Sequence, residues 1–561
     1  MENYNELYSL WLSECKDPAL LSELNAINGK DDEILDRFYK KLEFGTAGLR
    51  GVLGAGTNRM NIYTVNQATQ GIADYLNATF ENPSVAIAYD SRINSDVFAR
   101  ETAGVFSANG VKTYIYRELV PTPMLSFAVR ELKCSSGVII TASHNPAKYN
   151  GYKCYDPEGY QMTDAAAAEA YTYIQKVDMF KDIKKVDFDE GLANGTIEYI
   201  SDEVYEKFFD LVASKVINPE TAKTSGLKVI YTPLNGTGNK PVRKILARLG
   251  VTDIKVVPEQ ELPDGNFPTC PYPNPEIRQA FEYALKMAET DKADLLLATD
   301  PDCDRMGIAV RDGDDYRLMS GNEVGALFTE YVLSQYEAKG MMPKDPVVIK
   351  SFVTTNLVTE IAKSHGAKVA DLLTGFKYIG EYITNLEKEG HPEDFVVGME
   401  ESYGYLLGIH ARDKDAVVAS QLLVEMAAYY KSIGKSLIDV MNGIYAKFGI
   451  YLNKVDSFEF EGAAGMQKMA DIMESLRNNA PSEIAGLKVL DVTDYKDTAK
   501  TGLPSSNVLS YKLENGNGVV ARPSGTEPKL KFYFTAVAGT MDEANALYEK
   551  MLENAKSWME A

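Results

Sequence analysis

The sequence predicts an α/β protein, with three similar mixed-sheet α/β domains followed by a smaller C-terminal α+β domain. Apolar strand-like runs alternate with helical patterns in three successive blocks before Lys454, and such alternation is typical of sheets covered by helices. Beyond Lys454 strand-like runs instead surround two helical segments. A chain of 561 residues also exceeds what one hydrophobic core usually supports.

The first predicted domain covers residues 1–205. Residues 1–40 carry apolar side chains at helical spacing, and the Gly-rich stretch 45–51 ends that pattern. The segments that follow lead to an apolar strand directly before Ser143. They are a helix over 65–76, a strand over 84–89, a helix over 98–109, and strands over 111–116 and 137–141.

The second and third predicted domains, residues 206–321 and 322–451, repeat this alternation without a strict sequence repeat. Polar loops follow their apolar strands, and in parallel sheets ligands bind at the carboxyl ends of the strands. The predicted strands are 227–232, 294–298, 346–351 and 395–398, and the predicted helices are 241–249 and 357–365.

The fourth predicted domain, residues 452–561, departs from the pattern. Strand-like and helical segments no longer alternate regularly, which indicates a small α+β domain. The predicted strands are 455–460, 519–522 and 530–535, and the predicted helices are 466–478 and 541–560.

The net charge of −22 restricts the partners that we expect. Such a surface repels nucleic-acid phosphates and anionic membranes, so we expect neither as a partner. The same charge repels an anionic substrate, so cations must be concentrated where one binds. Five scattered cysteines predict neither a disulfide framework nor a zinc site. The N-terminus lacks the pattern of a secretory signal, and no apolar run reaches membrane-spanning length, so we expect a cytoplasmic protein.

The motif around Ser143 carries the sharpest chemical signal. Ser143 follows an apolar strand and lies beside His144, with the turn-forming pairs Asn145-Pro146 and Asn150-Gly151 behind it and Lys153 returning nearby. A serine in this place can accept a phosphoryl group whose charge nearby cations offset. An ordinary Ser/Asn-rich turn is one alternative. A hydrolase triad is another, although the G-x-S-x-G elbow is missing.

Three alternating carboxylates, Asp300, Asp302 and Asp304, follow the strand predicted over 294–298. Packed together they repel one another unless a cation lies between them, and their hard oxygen atoms favour magnesium or calcium over zinc. An EF-hand is rejected, because Arg305 and Arg311 occupy the positions of its glycine and its glutamate. The alternative is a solvated acidic turn.

Three further motifs offer polar groups to a ligand. The loop 522–529 combines an arginine, two hydroxyls and a glycine, which can surround a phosphate; a surface turn is the alternative. The stretch 398–404 offers acids and a serine to sugar hydroxyls, and Arg412 and Lys414 follow it; a structural ion pair is the alternative. The stretch 45–51 contains Arg50 but lacks the Lys-Ser/Thr ending of a P-loop.

In this order, the five motifs resemble those of the α-D-phosphohexomutase superfamily, and the resemblance covers nearly the whole chain. Within the superfamily, the segments Gly-Thr-Ala-Gly-Leu-Arg-Gly, Thr-Gly-Phe-Lys and Glu-Glu-Ser-Tyr-Gly are most similar to the phosphoglucomutase branch that includes phosphoglucomutase-2 and the bacterial phosphoglucomutases. The resemblance implies four domains around a central cleft.

The resemblance also implies a role for each candidate residue. Ser143 would be the phosphoserine, and one Mg²⁺ per chain would be held by Asp300, Asp302, Asp304 and an oxygen of phosphorylated Ser143. The residues implied near the transferring group are His144, Arg50, Lys153 and Lys414. The residues implied to bind substrate are Thr374, Gly375, Lys377, Glu400, Ser402, Arg305 and Arg412, with Arg522, Ser524, Gly525 and Thr526 at the distal phosphate.

The implied activity is the interconversion of glucose 1-phosphate and glucose 6-phosphate, with glucose 1,6-bisphosphate as intermediate and activator. Sugar phosphates are the expected partners, and the chain is expected to be a monomer or a weak homodimer. The alternatives are a phosphomannomutase, a phosphopentomutase, a sugar-bisphosphate synthase or phosphatase, and a silent sugar-phosphate-binding protein. The sugar loop reads Ser-Tyr-Gly-Tyr over 402–405 and lacks the histidine of dual-specificity phosphomannomutase/phosphoglucomutases. This difference argues against mannose and leaves the general acid/base open between Lys153 and Lys414.

Overall fold

The computed structural model describes residues 3–45, 48–460, 462–523 and 529–560, and the chain divides into two compact units. The first unit consists of Met1–Met319, Ile379–Pro392 and Tyr403–Ser432, and the second of Ser320–Tyr378, Glu393–Ser402 and Ile433–Ala561. The predicted α/β fold class with a distinct C-terminal sheet is confirmed. The four domain boundaries stay predictions.

The helical pattern of residues 1–40 forms three short helices, α1 Tyr4–Glu14, α2 Pro18–Ala26 and α3 Asp31–Phe38. Capping residues interrupt the pattern. The Asp17 carboxylate accepts hydrogen bonds from the N–H groups of Ala19 and Leu20, and proline occupies the first position of α2. The three helices pack around the buried side chains of Trp11 and Phe38.

The first sheet contains six strands and carries the Ser143 loop. The elements are β1 Gly48–Val52, α4 Ile62–Thr79, β2 Ser84–Tyr89, α5 Ser95–Ala108, β3 Lys112–Ile115, α6 Thr122–Glu131, β4 Ser136–Ile140, β5 Tyr149–Tyr155, α7 Asp164–Ile174, α8 Phe188–Asn194 and β6 Ile197–Tyr199. The strand order is β1-β5-β4-β2-β3-β6. Strand β5 pairs antiparallel with both of its neighbours, β1 and β4. The remaining neighbours, β4 with β2, β2 with β3 and β3 with β6, pair in parallel.

The predicted turn at Asn150-Gly151 is wrong, because both residues lie within β5. Gly151 is paired with Arg50 of β1, and its carbonyl accepts a hydrogen bond of 3.1 Å from the N–H of Thr141. A Cβ atom on Gly151 would overlap the Thr141 carbonyl, so the glycine serves the close approach of two strands. Pairing across the sheet has overridden the local turn preference, and it is β5 that presents Lys153.

The second sheet contains five strands and carries the Asp300–Asp304 loop. The elements are α9 Asp202–Ala213, α10 Pro219–Thr224, β7 Val229–Thr232, α11 Asn239–Leu249, β8 Ile254–Val256, α12 Pro258–Glu261, the 3₁₀ helix Arg278–Phe281, α13 Glu282–Asp291, β9 Leu295–Thr299, β10 Met306–Asp312 and β11 Asp315–Met319. The order is β11-β10-β9-β7-β8. Strands β8, β7 and β9 are parallel, whereas β10 and β11 form an antiparallel hairpin. The carboxylate loop is the connection from β9 to β10.

The next segment contributes to both units. Its elements are α14 Gly321–Lys339, β12 Val347–Ser351, α15 Leu357–Ser364, β13 Lys368–Leu372, α16 Phe376–Glu389, the 3₁₀ helix Pro392–Asp394, β14 Phe395–Glu400, β15 Gly404–Leu406, α17 Ala416–Ser432 and α18 Leu437–Phe448. In the second unit β13, β12 and β14 are parallel neighbours in that order. Strand β15 and helix α17 belong to the first unit.

The C-terminal sheet has six antiparallel strands in the order β16-β21-β20-β19-β18-β17. The elements are β16 Ile450–Glu459, α19 Gly462–Asn478, β17 Glu483–Ile484, β18 Leu487–Asp494, α20 Thr498–Thr501, β19 Leu509–Leu513, the 3₁₀ helix Glu514–Gly516, β20 Gly518–Pro523, β21 Lys529–Ala538 and α21 Met541–Glu560. Within the described part of the chain, no helix combines the length and apolar character that crossing a bilayer demands.

Candidate active site

Ser143 lies in a tight turn after β4 and is 4% exposed. Its backbone adopts the left-handed conformation, with φ of +53°. For a residue other than glycine this costs on the order of 1–3 kcal/mol and persists only when the surroundings enforce it. One such constraint is the Thr141 hydroxyl, which accepts a hydrogen bond of 2.8 Å from the N–H of Ser143. Strain of this kind is concentrated at functional sites.

The hydroxyl of Ser143 points at the carboxylate loop. Its Oγ donates to Oδ2 of Asp300 at 2.8 Å, and Nδ1 of His144 lies 3.2 Å from the same Oγ. Burial lowers the pKa of His144 well below its usual value, and the positive charges of Arg305 and Arg50 lower it further. Since the hydroxyl proton of Ser143 is donated to Asp300, the neutral imidazole tautomer with a proton on Nδ1 can donate to Oγ.

Asp300, Asp302 and Asp304 are all at most 1% exposed, and each offers one carboxylate oxygen within 4.8 Å of the others. Burial and mutual repulsion raise the pKa values of Asp300 and Asp304. Among the described residues, Oδ1 of Asp302 and Oδ1 of Asp304 have no hydrogen-bond partner. Buried carboxylate oxygens at this spacing, two of them without a hydrogen bond from the described residues, fit a hard divalent cation.

Two lysines lie against this cluster from different strands and loops. Nζ of Lys153 lies 2.9 Å from Oδ2 of Asp302, and Nζ of Lys414 lies 3.3 Å from Oδ2 of Asp304. Burial raises the pKa of Asp302, but Lys153 and hydrogen bonds outweigh burial and hold it far below its usual value. The expected concentration of cations in an acidic protein therefore occurs at this cluster.

Lys414 is held in place by its neighbours. Its Nζ also contacts Oδ1 of Asp413 at 3.0 Å, and Tyr155 donates a hydrogen bond of 2.6 Å to the other oxygen of Asp413. Gly404 leaves room for the lysine stem, because a Cβ atom at that position would overlap Cδ and Cγ of Lys414. The glycine of the Glu-Glu-Ser-Tyr-Gly motif thus lets Lys414 reach Asp304.

Two arginines border the same region. Nη1 of Arg305 donates to Glu276 at 2.8 Å, and its Nε lies 3.9 Å from Oδ1 of Asp304. Arg50, on β1, is exposed and donates to Oδ1 of Asn145 at 3.3 Å. Both predicted residues are therefore near the serine and carboxylate loops.

Arg412 is fully buried in a different environment from that of Lys414. Its Nε donates to the Thr384 hydroxyl at 3.1 Å and its Nη2 to Glu387 at 2.8 Å. Burial lowers its pKa to about 10. These contacts indicate a structural role in addition, and the expected contact of Arg412 with substrate stays a prediction.

Sequence reasoning missed two residues that hold the catalytic loops. Thr122 donates its hydroxyl to Oδ2 of Asp302 at 3.0 Å and its N–H to the Asp302 carbonyl at 2.9 Å. Arg92 donates to carbonyls of the Ser143 loop. The available signal was their position, because Asp90-Ser-Arg92 follows β2 and Pro-Thr122-Pro follows β3.

The second unit brings two of the predicted substrate loops together. Glu400, at the end of β14, accepts a hydrogen bond of 2.7 Å from the N–H of Gly375. Gly375 has φ of +120°, which glycine adopts readily. Lys377 is buried and its Nζ lies 5.2 Å from the ring centre of Tyr378. Thr374 and Ser402 are half-buried beside these residues in the sequence.

Arg522 lies near the end of β20 and is half-buried. Burial and the acids Glu401 and Glu400 raise the pKa of the neighbouring Tyr533, whereas the charge of Arg522 and a hydrogen bond from it lower that pKa. The predicted phosphate-binding residues Ser524, Gly525 and Thr526 lie outside the described residues.

Comparisons with known proteins identify the family and support the fold class. The chain matches models of phosphoglucomutase/phosphomannomutase alpha/beta/alpha domains I, II and III over residues 41–181, 206–313 and 320–448. Two solved structures share its fold. They are a phosphoglucomutase/phosphomannomutase family protein from Burkholderia thailandensis, with TM-score 0.69, 18% identity and coverage of 92% of this chain and 97% of the other, and the open form of the phosphoglucomutase parafusin from Paramecium, with TM-score 0.70, 17% identity and coverage of 93% and 96%.

A phosphoglucomutase from Staphylococcus saprophyticus is 36% identical over 552 residues, which covers 96% of this chain and 98% of the relative. A phosphoglucomutase from Staphylococcus aureus is 34% identical over 546 residues, with coverage of 95% and 96%. Together with the three domain matches, this full-length similarity shows that the chain belongs to the phosphoglucomutase/phosphomannomutase family.

Proposed function

We propose that the chain is a phosphoglucomutase that interconverts glucose 1-phosphate and glucose 6-phosphate by way of phosphorylated Ser143. The observation that carries the proposal is the 2.8 Å contact between the Ser143 hydroxyl and Asp300. This contact brings a nucleophile to three buried carboxylates that Lys153 and Lys414 flank. The full-length similarity to phosphoglucomutases supports glucose as the sugar.

The proposed cycle consists of two phosphoryl transfers. In the first, the bond from phosphorus to Oγ of phosphorylated Ser143 breaks, and a bond forms to the free hydroxyl of the sugar monophosphate. The proton of that hydroxyl passes to a basic group, for which Lys153 and Lys414 remain the two candidates. In the second, the other phosphate of glucose 1,6-bisphosphate moves to Oγ of Ser143, and the proton returns to the sugar oxygen. Such transfers depend mainly on positioning and charge neutralisation.

The carboxylate cluster supports a magnesium site. Asp300, Asp302 and Asp304 offer the donors, since two of their oxygens have no hydrogen-bond partner among the described residues and all three side chains are buried. One Mg²⁺ per chain would offset the negative charge that develops on the phosphoryl oxygens. Lys153 and Lys414 hold the carboxylates in place, and burial keeps water from competing for the phosphoryl group.

The second unit supplies the proposed recognition groups. Glu400 and Ser402 would bind sugar hydroxyls, with Thr374, Gly375 and Lys377 orienting the sugar. Arg522 and the following residues Ser524, Gly525 and Thr526 would bind the phosphate that is not reacting, and Arg305 would help to hold the reacting one. The half-buried position of Arg522 beside Tyr533 supports an anion site there.

Several further features belong to this proposal. They are a cytoplasmic location, a monomer or weak homodimer, glucose 1,6-bisphosphate as activator, and the four domain boundaries. Mannose and pentose phosphates are the competing substrates, because they would use the same transfer groups. Rates with glucose, mannose and ribose 1-phosphates, measured side by side, decide between them.

The phosphoserine is tested by intact mass before and after addition of glucose 1,6-bisphosphate, with peptide mapping. We expect one added phosphate on Ser143 and loss of turnover by at least about 10⁴-fold in Ser143→Ala. The matched control is Ser135→Ala. Ser135 directly precedes β4, its hydroxyl accepts a hydrogen bond from the N–H of Ser84, and the variant should keep wild-type turnover. Phosphate on another residue, or near-normal activity of Ser143→Ala, would refute the proposal. Release of free phosphate would instead indicate a phosphatase.

A further inference from the structure

Arg92 is buried behind the Ser143 loop and contacts it at four backbone carbonyls. Its Nη1 donates to the carbonyls of Pro146 and Tyr149, both at 3.0 Å. Its Nη2 donates to the carbonyl of Ser143 at 2.5 Å and to that of Asn145. The four acceptors cover the turn from the proposed phosphoserine to the first residue of β5. A single side chain therefore fixes the whole segment.

The guanidinium is itself fixed from two directions. Its Nε lies 3.4 Å from Oδ2 of Asp90, and both side chains are fully buried. Asp90 is held in turn by the N–H of Arg92 at 2.9 Å and by the Ser95 hydroxyl at 2.7 Å. The central carbon of the guanidinium lies over the ring of Phe267, 5.1 Å from the ring centre. These contacts leave the guanidinium little freedom to move.

The shape of the side chain matches this task. Arginine presents five donors in a rigid planar fork, whereas lysine presents three donors at a single flexible point. Only the fork can serve carbonyls that lie along a turn of seven residues, from Ser143 to Tyr149. Within the part of the chain that the structure describes, its hydrogen bonds to the loop reach carbonyl oxygens and not the Ser143 hydroxyl, so Arg92 would act through the backbone.

We propose that Arg92 is a positioning residue for phosphoryl transfer, which enforces the left-handed backbone at Ser143 and thereby aims Oγ at Asp300. The inference rests on the proposed function for its effect on catalysis, and on geometry alone for its effect on the loop. The unfavourable φ at Ser143 needs surroundings that enforce it. The four carbonyl contacts of Arg92 supply them.

The test compares Arg92→Lys with Arg59→Lys. Arg59 is also buried, and it also donates to carbonyls, those of Asn58 at 2.9 Å and Asp36 at 3.3 Å, but neither residue belongs to the Ser143 loop. Hydrogen exchange of the amides in 141–150, measured without ligand, reports the order of the loop. Values of kcat and KM with glucose 1-phosphate report catalysis, and melting curves report the fold.

We expect Arg92→Lys to speed exchange within 141–150 by about tenfold or more. We also expect kcat to fall about 100-fold with KM nearly unchanged, because a small misplacement of reacting atoms has this effect. Arg59→Lys should leave both the exchange within 141–150 and kcat unchanged, whatever its melting temperature. Exchange at the wild-type rate in Arg92→Lys, or a kcat within about threefold of wild type, would overturn the proposal.

Two further results separate the inference from the proposed function. Loop exchange could be faster in Arg92→Lys while the wild-type protein never carries phosphate on Ser143. That pair of results would support the role of Arg92 in holding the loop and would refute the phosphoserine. If Arg92→Lys does not fold, Asp90→Asn releases the guanidinium from its other side. That variant should lower kcat about tenfold at constant KM, and unchanged kcat together with unchanged loop exchange would overturn the inference.

Discussion

The proposed transfer centre in the first unit and the proposed recognition loops in the second unit differ in the residue types that adopt a left-handed backbone. In the first unit Ser143 and Cys303 both have positive φ, at +53° and +50°, in the serine and carboxylate loops. In the second unit the residue with positive φ beside Glu400 is Gly375, for which this conformation carries no steric cost.

Burial differs in the same direction. The three aspartates are at most 1% exposed, and Ser143 is 4% exposed, whereas Thr374, Ser402 and Arg522 are half-buried. Groups that stabilise developing charge act most strongly when they are preorganised in a water-excluded site. A group that binds a sugar in two orientations must instead be accessible to the sugar and must accept both orientations. We therefore expect substitutions in the transfer centre to lower kcat and substitutions in the recognition loops to raise KM.

After Ser143→Ala, the largest effect is expected from Asp302→Asn. It removes one of three carboxylates from the proposed magnesium site and the partner of Lys153 at 2.9 Å, so kcat should fall about 10³-fold. The measurement is the rate over a range of magnesium concentrations, with metal binding followed by calorimetry. Asp314→Asn, in the exposed turn between β10 and β11, is the control and should behave as wild type. Full activity of Asp302→Asn in chelator would disprove the metal assignment.

Gly404→Ala tests the path of Lys414. The added methyl group would overlap the lysine stem, so Lys414 must move away from Asp304 and kcat should fall about 10- to 100-fold at similar KM. Gly443→Ala adds the same methyl group to the exposed face of α18, where nothing lies within 4 Å. It should raise the free energy of unfolding by up to about 1 kcal/mol without changing kcat. Equal kcat values for the two variants would show that the position of Lys414 does not matter.

Arg522→Ala examines the recognition side of the comparison. Loss of charged hydrogen bonds to a phosphate costs about 1.5–3 kcal/mol, so KM for glucose 1-phosphate should rise at least about tenfold while kcat changes less. Lys512→Ala removes an exposed cation from the neighbouring strand β19 and should leave both parameters unchanged. A selective loss of kcat in Arg522→Ala would place that residue with the transfer centre. It would contradict the expectation that substitutions in the recognition loops raise KM.

The smallest effect on activity is expected from Arg412→Met. This variant loses the contacts to Thr384 and Glu387 and should lower the free energy of unfolding by about 2 kcal/mol. KM should remain within about twofold of wild type if the structural contacts are the main role of Arg412. Glu387→Gln, which removes the charge on the partner, should lower the melting temperature in the same way. A large increase in KM without loss of stability would instead support the predicted contact of Arg412 with substrate.

The sequence was informative where chemistry follows directly from a strand. The strand predicted over 84–89 coincides with β2, and the carboxylate loop follows β9 as expected. The apolar strand and the polar residues after it are adjacent in the chain, so local patterns suffice to find them. The same holds for Ser143, which follows β4.

Contacts made across the fold could not be predicted in this way. Arg92 is about fifty residues from the loop that it holds, and Thr122 bonds to Asp302 from the start of helix α6. Arg412 and Lys414 are two residues apart, yet one lies in a structural ion pair and the other at the carboxylate cluster. Sequence proximity did not reveal that their side chains have different surroundings, and at Gly151 pairing between strands overrode a local turn signal.

The left-handed backbone at Ser143 also limits which hydroxyl amino acid can serve at this position. Threonine carries the same nucleophile and is a single-base change away from serine, but its branched Cβ fits this region of φ far less well. Glycine would relieve the conformation and remove the oxygen. Main-chain geometry as well as chemistry therefore limits which substitutions are tolerated at this position. A phosphothreonine could serve here only if the turn adopted a different backbone conformation.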